Sequence, residues 1–356
     1  MGFNIALVGG GTAGHIMPNF ALIPELKKRF DRIIYIGSAA SMEEHLCREA
    51  NIPFYPTETM KYNRTNPLKN ISLPLAIGKG VKEAKKILRE QDISLVFSKG
   101  GYASVPTVLA AHKLFVPIVC HESDYSMGLA NKFTARYAAR IYTAFPGTYK
   151  GATILPTPIR EKIFYGKPLD VFKEKSKPTL LFMGGSLGAK AINDALSENF
   201  ATLSDKYNIL HITGKEGIAL KTPSYFSKPF TDSIEDWFAT ADLVVSRAGA
   251  STLSELTALG KRVLAIPLPK GESRGDQEEN AAYYLSKGAI SVLPQDRLSD
   301  QNLASVIDDM IMRRPPAPAY DKNTPRILAE ELIAICLRRQ LRRADSTDLS
   351  HPFPNA

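Results

Sequence analysis

The chain has 356 residues, room for about two ordinary domains. With 44% hydrophobic and 23% charged residues it has the balance of a globular protein with a sizeable core, which excludes a disordered chain. A net charge of +9 fits nucleic acid, an anionic membrane face or a phosphorylated substrate, but no nucleic-acid module can be recognised and a single Trp offers little stacking surface, so nucleic acid is set aside.

No apolar run approaches the ~20 residues that cross a bilayer. The opening Met1–Ala6 lacks the basic stretch and cleavage site of a signal peptide, and Ala6 stands where a myristoylation motif needs Ser or Thr. Cys47, Cys120 and Cys336 are too widely spaced for a metal motif or a disulfide framework, so reducing cytoplasm is the expected setting.

Short apolar runs alternate with helical-period segments, the pattern of β-α-β units and a parallel sheet. Asn4–Val8 reads as a first strand and Pro18–Phe30 as its helix. Further strands are expected at Arg32–Ile36, Leu95–Ser98, Pro117–His121 and Arg140–Thr143. Helices are expected at Ser41–Ala50, Lys79–Glu90, Val105–Leu114 and Asn131–Ala139. The mixed stretch from Pro156 to Lys177 reads as a linker. The pattern then begins again with a strand at Thr179–Met183, a glycine turn, and a helix from Ala189. Strands follow at Ile209–Thr213, Leu243–Ser246 and Val263–Pro267, with helices after Ser251 and Asp276. Arg313–Pro318 is a proline-broken loop, Thr324–Arg343 an amphipathic helix, and the residues beyond it a disordered tail.

The expected fold is therefore α/β, with two Rossmann-like doubly wound domains facing across a cleft. Residues 1–160 form the first, with helix 324–343 packing back on it; 161–323 form the second, and 344–356 the tail. Ligands of such sheets bind outside the carboxyl ends of the strands.

Two glycine turns mark those ends. Gly9-Gly10-Gly11-Thr12-Ala13-Gly14-His15 lies between a strand and a helix, where glycine allows a close turn and the helix offers free N–H groups to an anion. Its spacing fits a dinucleotide fingerprint, but the second strand ends Tyr35-Ile36-Gly37-Ser38 without the acidic residue that holds a ribose, which disfavours that reading. No Lys-Ser/Thr pair follows, so it is not a P-loop. His15 is either a helix-start side chain that only packs, or an imidazole suited to proton transfer near neutral pH.

In the second half, Val245–Glu255 reads as strand, small-residue turn and helix start. Small residues let backbone N–H groups approach a diphosphate, and Ser and Thr hydroxyls add bonds. Glu255, about one turn into the helix, would repel phosphate. It is placed either to accept from ribose hydroxyls or to cap the helix. Gln277 and Asn280 share a helix face and read either as amides for sugar hydroxyls or as a solvated helix start.

These motifs, with Gly100-Gly101-Tyr102, His121-Glu122, Gly128-Leu129-Ala130-Asn131-Lys132 and Gly184-Gly185-Ser186-Leu187-Gly188-Ala189, occur in an order and spacing that resembles the MurG-type N-acetylglucosaminyltransferases of peptidoglycan synthesis, from Gly9 to about Ala289. The resemblance implies the GT-B arrangement and inversion at the anomeric carbon without a metal or other cofactor. It implies UDP-N-acetylglucosamine as donor and lipid I as acceptor, giving lipid II at the cytoplasmic face of the cell membrane. It also implies that the second domain holds uridine and diphosphate. By motif, Ser186, Ser251 and Thr252 would contact phosphates within the run Ala250, Ser251, Thr252, Leu253, Ser254, Glu255; Glu255 would hold the ribose and Gln277 the sugar. Thr231 falls where the family contacts uracil through its backbone, and Thr12, Ala13, Gly14, Arg160 and Asp124 would complete the donor site.

The chain departs from the family in two motifs. Ala13 stands for a usual second glycine, and His121-Glu122-Ser123-Asp124 for a usual His-Glu-Gln-Asn. Asp124 can accept from a hydroxyl or support a base but cannot donate as an amide does. Either His15 or Asp124 is thus the expected catalytic base for attack by the acceptor's C4 hydroxyl. The lipid acceptor implies peripheral docking on an anionic membrane. Leu68–Ile77, running into Lys79, Lys82, Lys85, Lys86 and Arg89, reads either as that interfacial patch or as a buried loop with a solvated helix face. The Arg338–Arg343 cluster is a second such candidate. The alternatives are a related transferase acting on another lipid such as diacylglycerol, a UDP-sugar epimerase, and a non-catalytic UDP-sugar-binding protein.

Overall fold

The computed structural model describes residues 2–63, 66–185, 189–215, 220–298 and 303–348. It divides into two compact units: Met1–Ser123 with Met127–Pro158 and Asn323–Ala356, and Ile159–Lys322 with Asp124–Ser126.

The first unit opens with β1 (Asn4–Val8), α1 (Ala13–Leu26), β2 (Arg32–Gly37), α2 (Met42–Glu49) and β3 (Phe54–Pro56). It continues with α3 (Leu73–Glu90), β4 (Leu95–Ser98), α4 (Val105–Lys113), β5 (Ile118–Glu122), α5 (Leu129–Thr134), β6 (Arg140–Thr143) and β7 (Thr153–Ile154). The second unit holds β8 (Thr179–Met183), α6 (Lys190–Lys206), β9 (Asn208–Ile212), β10 (Tyr225–Lys228), α7 (Ile234–Thr240) and β11 (Leu243–Ser246). Its remainder is α8 (Ala250–Ala258), β12 (Arg262–Ala265), α9 (Asp276–Ser286), β13 (Ser291–Val292) and α10 (Leu303–Met312). The last helix, α11 (Thr324–Asp348), belongs to the first unit.

Among the described residues the first sheet runs β3-β2-β1-β4-β5-β6-β7 and the second β10-β9-β8-β11-β12-β13, and the strand pairs are parallel. In each, the chain leaves the first central strand in one direction and returns to fill the other side, so the order reverses between β1 and β4 and between β8 and β11. The fold is thus α/β with two Rossmann-like doubly wound units.

Alternation along β1 shows how the sequence builds two helical layers. Ile5 and Leu7 face a core with Leu22 and Leu26 of α1 and Leu328 and Leu332 of α11. Ala6 and Val8 face the opposite layer, with Val81, Ala84 and Leu88 of α3 and Val108 and Ala111 of α4. Polar bonds fasten α11 to this unit: Arg29 Nη2 donates to Glu330 Oε1 at 2.9 Å and Tyr142 Oη to Glu331 Oε2 at 3.0 Å.

Several elements differ from the sequence reading. α1 starts at Ala13 rather than Pro18, because Thr12 is extended and its carbonyl accepts from the His15 N–H at 3.1 Å, so the helix begins on the glycine turn itself. Pro18 and Pro24 are then carried inside the helix. α3 starts at Leu73 rather than Lys79, with Pro74 in its first turn where proline needs no N–H partner. α11 runs to Asp348, so residues 344–348, expected in a disordered tail, are helical; neither Gly nor Pro interrupts the chain there. Residues 349–356 lie outside the described residues. The short strands β3, β7, β10 and β13 escaped the apolar-run criterion because each is brief and sits toward a sheet margin, where one buried face suffices.

Candidate active site

In the first unit, the glycine turn after β1 and the one after β4 meet at the reversal of strand order. Gly101, at φ +78°, lies so close to Gly10 that a methyl built on it would fall 2.2 Å from the Gly10 carbonyl oxygen. A methyl on Gly10 would fall 2.4 Å from Glu43 Oε1, and one on Gly11 2.6 Å from the Tyr102 ring. These glycines therefore serve turn-against-turn packing. Glu43, from α2, accepts from the Ser38 N–H and is buried. An acidic side chain does reach the end of β2, but it is sealed inside.

Thr12, Ala13, Gly14 and His15 form the N-cap and first turn of α1. Thr12 Oγ1 does not cap the helix; it lies 3.0 Å from Nδ1 of the half-buried His15. The hydroxyl thus orients the imidazole.

His121 and Glu122, at the end of β5, are buried. Glu122 Oε1 accepts from Ser123 N at 2.8 Å, and its Oε2 from Gly128 N and Asn131 Nδ2, each at 3.0 Å. Two of the recognised motifs are therefore one hydrogen-bonded knot that ties the loop to the start of α5. His121 Nδ1 lies 2.6 Å from Nζ of the buried Lys99, which also donates to Ser123 Oγ at 2.7 Å, and His121 Nε2 faces the Leu155 carbonyl at 3.1 Å. Burial, reinforced by the Lys99 charge, holds the His121 imidazole well below its ordinary pKa. A lone Lys before Gly100-Gly101 gave no sequence signal of this role.

Asp124 belongs to the second unit. Its Oδ2 takes Arg274 Nη2 at 2.5 Å and its Oδ1 takes Asn280 Nδ2 at 3.1 Å. Asn280 is wholly buried, and its own Oδ1 accepts from Tyr125 N at 2.8 Å. Both ends of the Asn280 amide are engaged within the protein, so of the two amides on α9 only Gln277 faces a cavity.

That cavity, of about 570 Å³, lies at the reversal of the second sheet. Following the strands in sheet order, Gly185, Ala189, Lys190, Ala191 and Asp194 come after β8, Arg247, Gly249 and Thr252 after β11, Leu268, Glu272 and Gln277 after β12, and Gln295 after β13. Ala189 and Gly249 are the N-caps of α6 and α8, so two helix N-termini border it. A methyl built on Gly185 or on Gly249 meets no described atom within 4 Å. Here, unlike in the first unit, the missing side chains leave room. Gln277 Oε1 accepts from Ala248 N at 3.3 Å and Leu268 N at 3.0 Å, tying two loops together and leaving its NH₂ as the group it offers. Arg247 donates to the Ile266 carbonyl at 3.1 Å; burial lowers its pKa, opposed by the Glu272 charge. Arg247, Lys190, Glu272 and Gln295 were not singled out from the sequence, where charged residues in loops look alike.

The helix start Ala250–Glu255 is resolved side chain by side chain. Thr252 lines the cavity. Ser251 Oγ is buried without a hydrogen-bond partner among the described residues. Leu253 is wholly in the core, and Ser254 Oγ lies 3.2 Å from Tyr284 Oη, so these two face the protein. Glu255 is the sixth residue of α8, beyond capping reach of Gly249, and its Oε1 lies 3.3 Å from Arg160 Nη2. Burial raises the Glu255 pKa while Arg160 pulls it down. Arg160 Nε is buried without a partner among the described residues. Thr231, between β10 and α7, accepts from Ser233 N at 3.2 Å and is not among the residues lining the cavity. Ser186 lies outside the described residues.

On the surface of the first unit, Leu68, Ile71 and Leu75 are 74–78% exposed, which overturns the buried-loop reading of this segment. Lys79, Lys82 and Lys86 are exposed along the same helix. α3 packs on α4, beyond whose end Phe115 is also exposed. No described helix is long and apolar enough to cross a membrane.

Residues 5–143 match the glycosyltransferase family 28 N-terminal domain and residues 179–332 the glycosyltransferase family 28 C-terminal domain. The UDP-N-acetylglucosamine--N-acetylmuramyl-(pentapeptide) pyrophosphoryl-undecaprenol N-acetylglucosamine transferase of Clostridium botulinum (strain Kyoto / Type A2) is 40% identical over 323 residues, 87% of this chain and 91% of that relative. The protein of the same name from Clostridium novyi (strain NT) is 37% identical over 326 residues, 88% and 91% of the two chains. The crystal structure of Acinetobacter baumannii MurG superposes with a TM-score of 0.71 at 24% identity, covering 93% of this chain and 99% of that one, a likeness of fold.

Proposed function

We propose a reaction from one premise: this chain belongs to glycosyltransferase family 28. It transfers N-acetylglucosamine from UDP-N-acetylglucosamine to the C4 hydroxyl of the N-acetylmuramoyl unit of lipid I, giving lipid II. The observation that carries this reading is the cavity of the second unit, bordered by two helix N-termini, two glycines that leave space, and Arg247. Such a setting suits a diphosphate. The kinship with enzymes named for this donor and acceptor supplies the substrates.

In this reading the second unit binds the donor. N–H groups at the starts of α6 and α8, with the hydroxyls of Ser186, Ser251 and Thr252, hold the diphosphate. The Ala250–Glu255 turn contributes its backbone, including that of Leu253 and Ser254. Glu255, oriented by Arg160, accepts from the ribose hydroxyls; the Gln277 NH₂ donates to the hexose; and the Thr231 backbone reads uracil.

The first unit carries the acceptor, and Thr12, Ala13 and Gly14 supply N–H groups from the first turn of α1. His15 is the base. With Thr12 Oγ1 accepting from Nδ1–H, Nε2 holds the lone pair that takes the C4 hydroxyl proton. The C4 oxygen bonds to the anomeric carbon as the bond to the β-phosphate oxygen breaks, and UDP leaves with that electron pair. Donors already aimed at the departing diphosphate stabilise its developing charge without reorganisation. Asp124, with both oxygens held by Arg274 and Asn280, anchors its loop and is the weaker choice of base.

An undecaprenyl acceptor is held in a bilayer, so the enzyme docks there, at the cytoplasmic face, as a peripheral protein. Leu68, Ile71 and Leu75 beside the lysines of α3 are the docking patch: apolar side chains enter the interface, and each lysine adds ~1 kcal/mol near anionic lipid. Transfer of labelled N-acetylglucosamine from UDP to a short-chain lipid I analogue tests the whole. Labelled lipid II is the expected product. A labelled diacylglycerol product, a free epimerised sugar, or UDP-sugar binding without transfer would each replace this reading.

A further inference from the structure

Resting on the donor reading above, we propose that Glu272 and Gln295 determine donor specificity by reading a hydroxyl of the transferred hexose. The cavity is polar along the sheet. Toward β8 and β11 it presents two helix N-termini, Arg247 and the ion pair of Lys190 with Asp194, 2.6 Å apart; toward β12 and β13 it presents Glu272, Gln277 and Gln295. The first part suits an anion. A carboxylate in the second part repels phosphate, so the group it meets is neutral and donates hydrogen bonds, as a sugar hydroxyl does.

Glu272 is set for that role by its surroundings. Gln295 Nε2 donates to its Oε1 at 3.1 Å, which leaves Oε2 as the uncommitted acceptor among the described residues. The loop that carries it is fastened along its length. Leu268 N bonds to Gln277 Oε1 at 3.0 Å, Lys270 N to Glu278 Oε2 at 3.1 Å, and Gly275 N to Ser273 Oγ at 3.0 Å. Gln277 thus joins the diphosphate-facing loop after β11 to the Glu272 loop after β12, so one side chain sets both registers.

The test uses the full-length enzyme, with E272A, E272Q and Q295A compared by steady-state kinetics and by calorimetry with UDP alone. Losing a hydrogen bond to a charged acceptor costs about tenfold in affinity. E272A is expected to raise KM for UDP-N-acetylglucosamine about tenfold, with kcat and UDP affinity within about twofold of the parent. E272Q, which keeps an acceptor oxygen, recovers part of the loss, and Q295A shows a smaller rise in KM. An unchanged KM in E272A, or UDP affinity falling by the same factor, overturns the assignment. If the parent enzyme itself binds no UDP, the donor reading falls and this proposal with it; normal UDP binding with an unmoved KM rejects the Glu272–Gln295 pair alone.

Discussion

Gly101 and Gly10 touch backbone to backbone, with 2.2 Å between a methyl built on the first and the carbonyl oxygen of the second. The contact closes the two central turns of the first sheet against each other. The equivalent turn of the second sheet is different: Gly249, the N-cap of α8, leaves a built methyl with no described neighbour within 4 Å. One glycine turn is filled by protein and the other borders a cavity.

That difference separates stability from binding. Gly101→Ala forces a side chain into a backbone carbonyl at φ +78° and is expected to destabilise the protein by ~2 kcal/mol or more, seen as a lower urea midpoint. Gly249→Ala, at φ −67°, is expected to leave the midpoint unchanged or slightly raised while increasing KM for UDP-N-acetylglucosamine. Equal stability losses in the two variants would remove the distinction.

His15 and Asp124 are told apart by turnover. His15→Ala is expected to lower kcat by ~10²-fold or more while UDP binding is kept. Asp124→Asn, which can still pair with Asn280 but loses the charge facing Arg274, is expected to keep kcat within about tenfold of the parent. A severe loss in Asp124→Asn with a mild one in His15→Ala would reverse the roles.

Charge reversal of Lys82, Lys85 and Lys86 on α3 is expected to lower partition onto vesicles of phosphatidylglycerol by at least ~10-fold at low salt, with UDP affinity unchanged. Vesicle pelleting measures it. Equal pelleting of the variant would end the docking role of this helix.

The second unit contains a pH-sensitive histidine away from the cavity. His211 on β9 is wholly buried between Asn193 Oδ1 and Tyr225 Oη, each at 3.0 Å, and burial pushes its pKa down to about 4. Between about 6.5 and about 4 the unfolded chain binds a proton that the folded one does not, so stability rises with pH across that window and is lost as pH falls through it. The full contribution is about 3 kcal/mol, and His121 acts in the same direction. Urea midpoints at pH 7 and pH 4.5 should show a smaller decline in His211→Gln than in the parent. An identical decline would show that another group governs it.

Much of the site was legible because its signals are local. A strand, a glycine turn and a helix start are adjacent in sequence, so the positions of Thr12–His15, Gly184-Gly185 and Ala248–Glu255 at strand ends followed from periodicity. Side-chain direction did not. Leu253 and Ser254 lie in the same turn as Thr252, yet they point into the core and at Tyr284, because successive helical residues face different ways. Asn280 shares a face with Gln277 but is consumed by Tyr125, Asp124 and the Ala248 carbonyl, partners that no spacing along α9 reveals.

The chain order of apolar runs and turns was enough by itself to specify two parallel, doubly wound sheets, since hydrophobic periodicity and glycine chemistry act over a few residues. Only the folded molecule decided which glycines are filled and which leave space, that Glu255 meets Arg160, and that Lys99 is buried against His121. Those outcomes join residues far apart in the chain, and their energies exist only once burial has removed the water that would otherwise satisfy them.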